Sequence, residues 1–391
     1  MAETWPSTPV RRLVLHTLDV IGRAVAFPIR RRIIGRDAPK RVLVIEPWNI
    51  GDVVLATPLL NALRDLYPTA QMTLLGKPHA RILLEASGLV DDVITCDLPW
   101  TASQNKYPMR LQTLKQLSDL IEVLRARKFD LTLDARMDIR SNLLAALAGG
   151  HRRVGFSTGG GGWLLTDYLP ADRRNTHKIS DWLDLLTILP DGVGARNKAR
   201  RVPMLVVSSA ERTAALRALT DAGAAVSPII AYHPGGSHPA KRWPLDHFEK
   251  LIGQMQRLVG GSHVVFLGPN DQKPSAVSEN VIVRRPSLRQ LMSEIACCDA
   301  LVCNDSGPMH IADALGVPVV AIFEIGNPQW YGPSGPHATV IAGAQAGVGI
   351  SAAPLQDPPA NPVAVERVVA AMSATLGNCR IGDRIAIAAT Q

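Results

Sequence analysis

The chain has little cysteine. Its five, Cys96, Cys297, Cys298, Cys303 and Cys379, include no CxxC pair in 391 residues. That excludes a disulfide framework and reads as the reduced thiols of a cytosolic protein. No GxGxxG follows the first apolar run, which argues against a dinucleotide-dependent dehydrogenase, and the absence of GxxxxGK[ST] removes the P-loop enzymes. There is no DxD, the usual acidic metal clamp for nucleotide-sugars, and no His/Cys set at zinc spacing. Neither a metal nor a cofactor is expected. Surplus positive charge is scarce outside the start of the chain. Residues 1–41 hold nine Lys/Arg against three acids, a surplus of +6 out of the total +8, so the remaining 350 residues carry +2. A body with so little surplus is not expected to bind nucleic acid.

The basic leader has helical order. Val14, Leu18, Ile21, Val25 and Ile29 recur at spacings of three and four, with Arg12, His16, Asp19, Arg23 and Arg30 on the other side. The pattern predicts an amphipathic helix, followed by Arg30-Arg31-Arg32, that lies on an anionic membrane surface. Asp19 and Arg23 interrupt any run long enough to span a bilayer, and they break the apolar centre a signal peptide needs. The other readings are a helix packed on the body, or a disordered tail added by a wrongly chosen start codon. The expected place of the protein is the cytoplasm, peripheral on the cytoplasmic face of the inner membrane.

From residue 41 strands and helices alternate. Strands are expected at Arg41–Ile45, Met72–Leu75, Val93–Thr95 and Leu131–Leu133, and helices at Val53–Leu66, Leu111–Arg127 and Ser141–Ala148. Residues 155–203 are less regular, with a helix over Asp181–Leu189. A second α/β unit begins near Met204. Its strands are expected at Pro228–Tyr232, Val264–Leu267, Ala300–Cys303 and Val319–Phe323, and its last helix at Ala364–Leu376. This divides the chain into a leader (1–40), an N-terminal domain (41–190), a linker rich in Pro, Gly and Arg (191–203), a C-terminal domain (204–375) and a tail (376–391). Two doubly wound, Rossmann-like α/β domains facing a central cleft form the GT-B arrangement of glycosyltransferases, among a few other folds.

Three strand-to-helix turns carry candidate chemistry. Gly51-Asp52 follows the first strand, where glycine permits a tight turn and close approach of a ligand. Asp52 reads either as a helix N-cap or as a general base for an acceptor hydroxyl. His233-Pro234-Gly235-Gly236-Ser237 runs into Lys241 and Arg242. Turn amides and hydroxyls can cradle phosphate there, and either cation can neutralise a departing diphosphate; a solvated basic loop is the bland alternative. Asn304-Asp305-Ser306-Gly307-Pro308-Met309-His310 places a Gly/Ser turn at a helix N-terminus, a ready anion site. His310 alone reads equally as a structural histidine.

Taken together these blocks resemble glycosyltransferase family 9, the lipopolysaccharide heptosyltransferases, from about Arg41 to about Gly335. Leu55–Arg64 after Gly51-Asp52, His233-Pro234-Gly235 with Ala240–Pro244, Asn304–His310 with Ala314–Val320, and Trp330-Tyr331-Gly332-Pro333 carry the resemblance. It implies the GT-B fold and an inverting transfer of heptose from ADP-heptose to the inner core of lipopolysaccharide, a lipid-linked saccharide acceptor. It implies Asp52 as general base and Lys241 facing the leaving phosphates. Gly51, Gly235, Ser237, Arg242, Asp305, Ser306, Gly307 and His310 would line the donor site, and Asp134, Arg136 and Arg140 the acceptor side. The chain departs from the family at Glu46-Pro47-Trp48-Asn49, where many members have an early Arg, and at Arg136-Met137, where Gln-Gly is common. After Gly268 the nearest acid for the nucleotide is Asp271. The alternatives keep the fold with another nucleotide-activated sugar for a surface polysaccharide, or make the protein a nucleotide-sugar epimerase.

Overall fold

Val42-Leu43-Val44-Ile45 offers no polar face to solvent, which suits a strand covered on both sides. The structure, a computed structural model, describes residues 38–101, 111–170, 176–224, 226–275, 278, 280–347 and 361–388, with Thr17 and Gly22. Side chains of 111 and 378–388 are not among the described ones. The chain divides into two compact units between Arg201 and Val202.

The first unit runs β1 (Arg41–Glu46), α1 (Ile50–Leu66), β2 (Gln71–Gly76), α2 (Pro78–Leu84), β3 (Asp92–Thr95), α3 (Leu111–Ala126), β4 (Leu131–Asp134), α4 (Ile139–Leu147), β5 (Arg152–Phe156), β6 (Asp167–Leu169), α5 (Lys178–Asp184) and α6 (Gly192–Lys198). Its six strands form one parallel sheet in the order β3-β2-β1-β4-β5-β6. One side of the sheet packs Leu43, Ile45 and Leu75 against Leu124, Phe129 and Leu144, all buried.

The second unit runs α7 (Ser209–Asp221), β7 (Ile229–His233), α8 (Leu245–Val259), β8 (Ser262–Phe266), β9 (Val281–Arg284), α9 (Leu288–Ile295), β10 (Ala300–Asn304), α10 (Gly307–Ala314), β11 (Val319–Phe323), α11 (Pro328–Tyr331), β12 (Ala338–Ala342) and α12 (Val365–Ala388). Its sheet, also parallel, has the order β12-β11-β10-β7-β8-β9. Trp243, Phe248 and Met255 fill the core with Val368 and Met372 of α12.

Both sheets therefore have one winding. The first strand of each unit sits beside the fourth, and the chain changes direction of travel between them. In open α/β sheets ligands bind beyond the carboxyl ends of strands at such a reversal. Here those ends belong to β1 and β4 in one unit, and to β7 and β10 in the other.

Several boundaries differ from the expectations. α1 starts three residues early, at Ile50, because Asn49 supplies the cap. Two unexpected strands stand here: β5, which opens with two arginines just before the irregular stretch and runs into it, and β6, three residues long, within it. The expected helix over 181–189 is α5 followed by a tighter 3-10 turn at Leu185–Ile188. The segment 191–203 contains α6. α12 runs past Leu376 to Ala388, so most of the segment 376–391 is helical rather than a tail. Gly377 and Gly382 are the breakers in that stretch, and each glycine costs a helix only about 1 kcal/mol. The amphipathic leader lies outside the described residues, apart from Thr17, Gly22 and residues 38–40. No helix of the described residues is long and apolar enough to cross a membrane.

Candidate active site

At the carboxyl end of β1 the chain turns through Pro47-Trp48-Asn49 into α1. Asn49 is the N-cap. Asp52, at the third helical position, accepts the Asn49 backbone N–H through Oδ2 at 3.2 Å. Asp52 is thus the returning half of a capping box, not the cap itself. Its Oδ1 accepts from Arg136 Nη1 at 2.8 Å. Arg136 follows β4, and its guanidinium carbon lies 4.3 Å from the centre of the Trp48 ring, in cation–π contact. The same Nη1 is 3.7 Å from Glu46 Oε1. The side chains of Arg136 and Asp52 are 18% and 13% exposed, while that of Glu46 is wholly buried. Asp52 and Arg136 are therefore the members of this trio that a substrate can touch.

The groups behind them are buried and electrically strained. Burial pushes Glu46 up to about 8, against the pull of Arg136. Burial likewise pushes Asp134, the last residue of β4, up to about 8. Asp134 Oδ1 accepts the Arg136 backbone N–H at 2.9 Å, so it shapes the turn that presents Arg136. With no exposed surface it cannot itself touch an acceptor. Lys178, on α5, is brought down to about 8 by burial. Lys77 and His79, beyond β2, are both lowered by burial, and Lys77 Nζ donates to the Thr101 carbonyl at 2.6 Å. Arg140 turns to Asp138, the N-cap of α4, with Nε 2.8 Å from Oδ1.

In the second unit Asn304, at the end of β10, fastens the site's backbone. Its Oδ1 accepts the Trp243 N–H at 3.0 Å, and its Nδ2 donates to the carbonyls of Pro234 at 2.8 Å and Gly235 at 3.2 Å. One buried amide thereby ties the turn after β7 and the Lys241–Trp243 segment to β10. Lys241 Nζ lies 2.5 Å from Asp305 Oδ2, with side chains 14% and 9% exposed. Ser306 is the N-cap position of α10, and its hydroxyl donates to the Asn304 carbonyl at 3.1 Å. Gly307 opens α10, and His310 is buried within it. Arg242 Nε donates to the Gly236 carbonyl at 3.1 Å, and Ser237 is exposed. Gly235 is needed where it stands, since a Cβ there would come within 2.2 Å of the Asp271 carboxylate. Asp271 Oδ2 accepts the Gly268 N–H at 2.7 Å, so this carboxylate braces its own loop. Pro308 has no N–H and the Met309 N–H goes to the Ser306 carbonyl at 3.2 Å, so the N–H groups of Ser306 and Gly307 are the ones this helix start can offer; with the lysine beside them they make an anion-binding arrangement.

The structure thus gathers Asp52, Arg136 and Asp134 at the β1/β4 reversal, with Gly51 in the first turn of α1. At the β7/β10 reversal it gathers Lys241, Asp305, Ser306, Gly307 and Gly235. Arg140 is held by Asp138, and Arg242 by its own turn. Sequence reasoning passed over Glu46 and Lys178 as site residues. The only signal for Glu46 was a carboxylate ending an otherwise apolar strand. Sequence reasoning also took the G-x-S-x-G spacing of a hydrolase nucleophile elbow to be absent, yet Gly155-Phe156-Ser157-Thr158-Gly159 has it. It leads from β5 into a turn rather than the helix such an elbow requires, and Ser157 Oγ donates to the Leu169 carbonyl at 3.4 Å. Among the described residues no group of three or more His, Cys, Asp or Glu is placed to hold a metal ion.

A family model described as glycosyltransferase family 9 (heptosyltransferase) matches residues 117–349. The lipopolysaccharide heptosyltransferase 2 of Salmonella typhimurium is 27% identical over 320 residues, covering 77% of this chain and 87% of that protein. The lipooligosaccharide heptosyltransferase 2 of Haemophilus influenzae is 25% identical over 319 residues, covering 77% and 88%. Among solved structures, the ADP-heptose LPS heptosyltransferase II of E. coli superposes with a TM-score of 0.69 at 24% identity, over 86% of this chain and 99% of the other. A family 9 glycosyl transferase from Veillonella parvula gives 0.68 at 22%, over 87% and 97%. The fold is that of the GT-B heptosyltransferases, with two Rossmann-like units.

Proposed function

The chain belongs to glycosyltransferase family 9, and on that premise we propose that it transfers a heptose from ADP-heptose to the inner core of lipopolysaccharide, with inversion and with Asp52 as general base. It is a glycosyltransferase, and its curated relatives are heptosyltransferases matched over most of their length. The observation that carries the reading is the pairing of Lys241 with Asp305 beside the first turn of α10, at the strand reversal of the second sheet. Lys241 offers a cation, and Ser306 and Gly307 offer their backbone N–H groups, to the oxygens of a diphosphate.

The reaction is one displacement. Asp52 accepts the proton of an acceptor hydroxyl as that oxygen attacks the anomeric carbon opposite the diphosphate. Negative charge grows on the leaving phosphate oxygens, where Lys241 and the α10 amides act. Asp305 holds the ammonium until the donor arrives, and Ser306 and Gly307 present their backbone. On the acceptor side Arg136 lies next to the base. The acceptor is anchored in a membrane, and the basic leader is proposed to hold the enzyme at that surface.

The test offers the purified protein ADP-heptose and a panel of truncated lipopolysaccharide cores, read by mass spectrometry. A heptose-sized gain on one acceptor, absent with Asp52→Asn, is the expected result. No gain on any acceptor, together with no binding of ADP-heptose, would refute the donor assignment.

A further inference from the structure

Glu46 has no ordinary structural role. It ends β1, the central strand of the first sheet, with zero exposure, and neither carboxylate oxygen has a hydrogen-bond partner among the described residues. A carboxyl buried this way costs several kcal/mol unless something compensates. The compensating group is Arg136, whose Nη1 lies 3.7 Å from Glu46 and 2.8 Å from Asp52. One nitrogen of one guanidinium therefore serves two carboxyls, one sealed in the protein and one facing the substrate side. Trp48 closes a face of that guanidinium.

Resting on the reading of Asp52 as the base, we propose that Glu46 is a positioning residue for the transfer. Through the Arg136 guanidinium it shares with Asp52, its charge sets how readily Asp52 takes the acceptor's proton. When Glu46 is neutral, Arg136 is committed to Asp52 and occupies a lone pair of Oδ1. When Glu46 is charged, the cation is divided, and a second negative charge stands behind Asp52. Both changes favour proton uptake by Asp52. Atoms balance without a new reactant: the acceptor's proton goes to Asp52, which gives it up to solvent before the next turnover, while Glu46 keeps throughout the cycle the protonation state that the pH sets.

The geometry is supported by the raised value of Glu46, about 8, which places its ionisation within a working range of pH. Other charged groups face this cluster. Asp134 and Arg136 come from the end of β4, Lys178 and Asp181 from α5, Asp52 from α1, and Lys77 and His79 from beyond β2. Lys178 and Asp134 also have values of about 8, so a pH profile alone does not name the titrating residue. Substitution does. A charge a few Å away in an effective dielectric near 20 alters a carboxylate's proton affinity on the order of a hundredfold. With the proton about half transferred in the transition state, the rate changes about tenfold.

The experiment records kcat against pH for the wild type and Glu46→Gln, beside infrared titration of both proteins without substrate. In the wild type kcat rises about tenfold as Glu46 ionises. A protonated-carboxyl band disappears over the same range, and the carboxylate band assigned to Asp52 by its loss in Asp52→Asn shifts with it. In Glu46→Gln the rise, the protonated band and the shift are all absent. Either of two results overturns the proposal: an Asp52 band that shifts identically in both proteins, or a Glu46→Gln profile lowered by one factor at every pH, as for a purely structural residue. If the wild type transfers no heptose at all, the proposed reaction has failed, while the infrared shift still decides whether Glu46 controls Asp52.

Discussion

Asp52 and Lys241 each meet the solvent already paired, Asp52 with Arg136 and Lys241 with Asp305. In the proposed reaction each pair joins one group that acts on the substrate to one that holds it in place beforehand. Replacing Lys241 by Met removes the cation but keeps the length of the stem. Turnover should fall on the order of a hundredfold, as for loss of one good donor to a developing negative charge. Steady-state kinetics at saturating donor checks this. Glu46 yields a stability prediction as well. Its folded value of about 8 lies above the ordinary 4.5. Between those values the unfolded chain has released a proton that the folded chain keeps, so this group's contribution to stability falls as pH rises through the window. Glu46→Gln should therefore gain stability over the wild type by on the order of 2 to 4 kcal/mol between about pH 5 and about pH 8. Thermal unfolding at both ends of that range measures the gap, and a gap that stays constant would contradict it. Asp52, Lys241 and Asp305 stand out in the sequence as candidates because each lies at or just beyond the passage from a strand to a helix, where local sequence marks a ligand position. Glu46 and Lys178 do not, because their meaning comes from burial beside residues up to 132 positions away, which no local pattern encodes.

At the scale of elements, the site depends on how strand ends are fastened. Asn304 makes three hydrogen bonds from a fully buried amide, to Trp243, Pro234 and Gly235. Asn304→Ala should cost about 3 kcal/mol, at roughly 1 kcal/mol per lost bond. It should also weaken nucleotide-sugar binding, because it releases both the Gly235 turn and the segment bearing Lys241. Chemical denaturation and donor titration report the two effects separately. Elements with one strong period were read well: β1, β4, β10 and β11 are short apolar runs, and α1 carries apolar residues at helical spacing. β5 was missed because Arg152 and Arg153 open it. Their polar ends reach Asp167 and the Leu164 carbonyl, so the stems can lie in the sheet without stranding a charge. α6 was missed because Gly192 and Gly194 read as loop, yet it packs beside the turn at Leu185–Ile188.

For the whole molecule, two sheets of one winding place a motif at each strand reversal. That repetition, more than any one motif, made the fold class readable from the sequence. The leader is a different case. Gly22 is buried against the Trp163 ring, where a Cβ would come within 2.2 Å. Co-sedimentation with vesicles rich in anionic lipid should fall when residues 1–38 are removed, and more so at low than at high salt. Equal sedimentation of both forms would remove the membrane role. The central claim, that Asp52 takes the acceptor's proton while the second unit holds the donor, is met most directly by one comparison. ADP-heptose affinity and heptose transfer are measured together for the wild type and Asp52→Asn. The account predicts nearly equal donor affinity and a transfer rate lower by at least a hundredfold in the variant. Transfer by Asp52→Asn at the wild-type rate would contradict it.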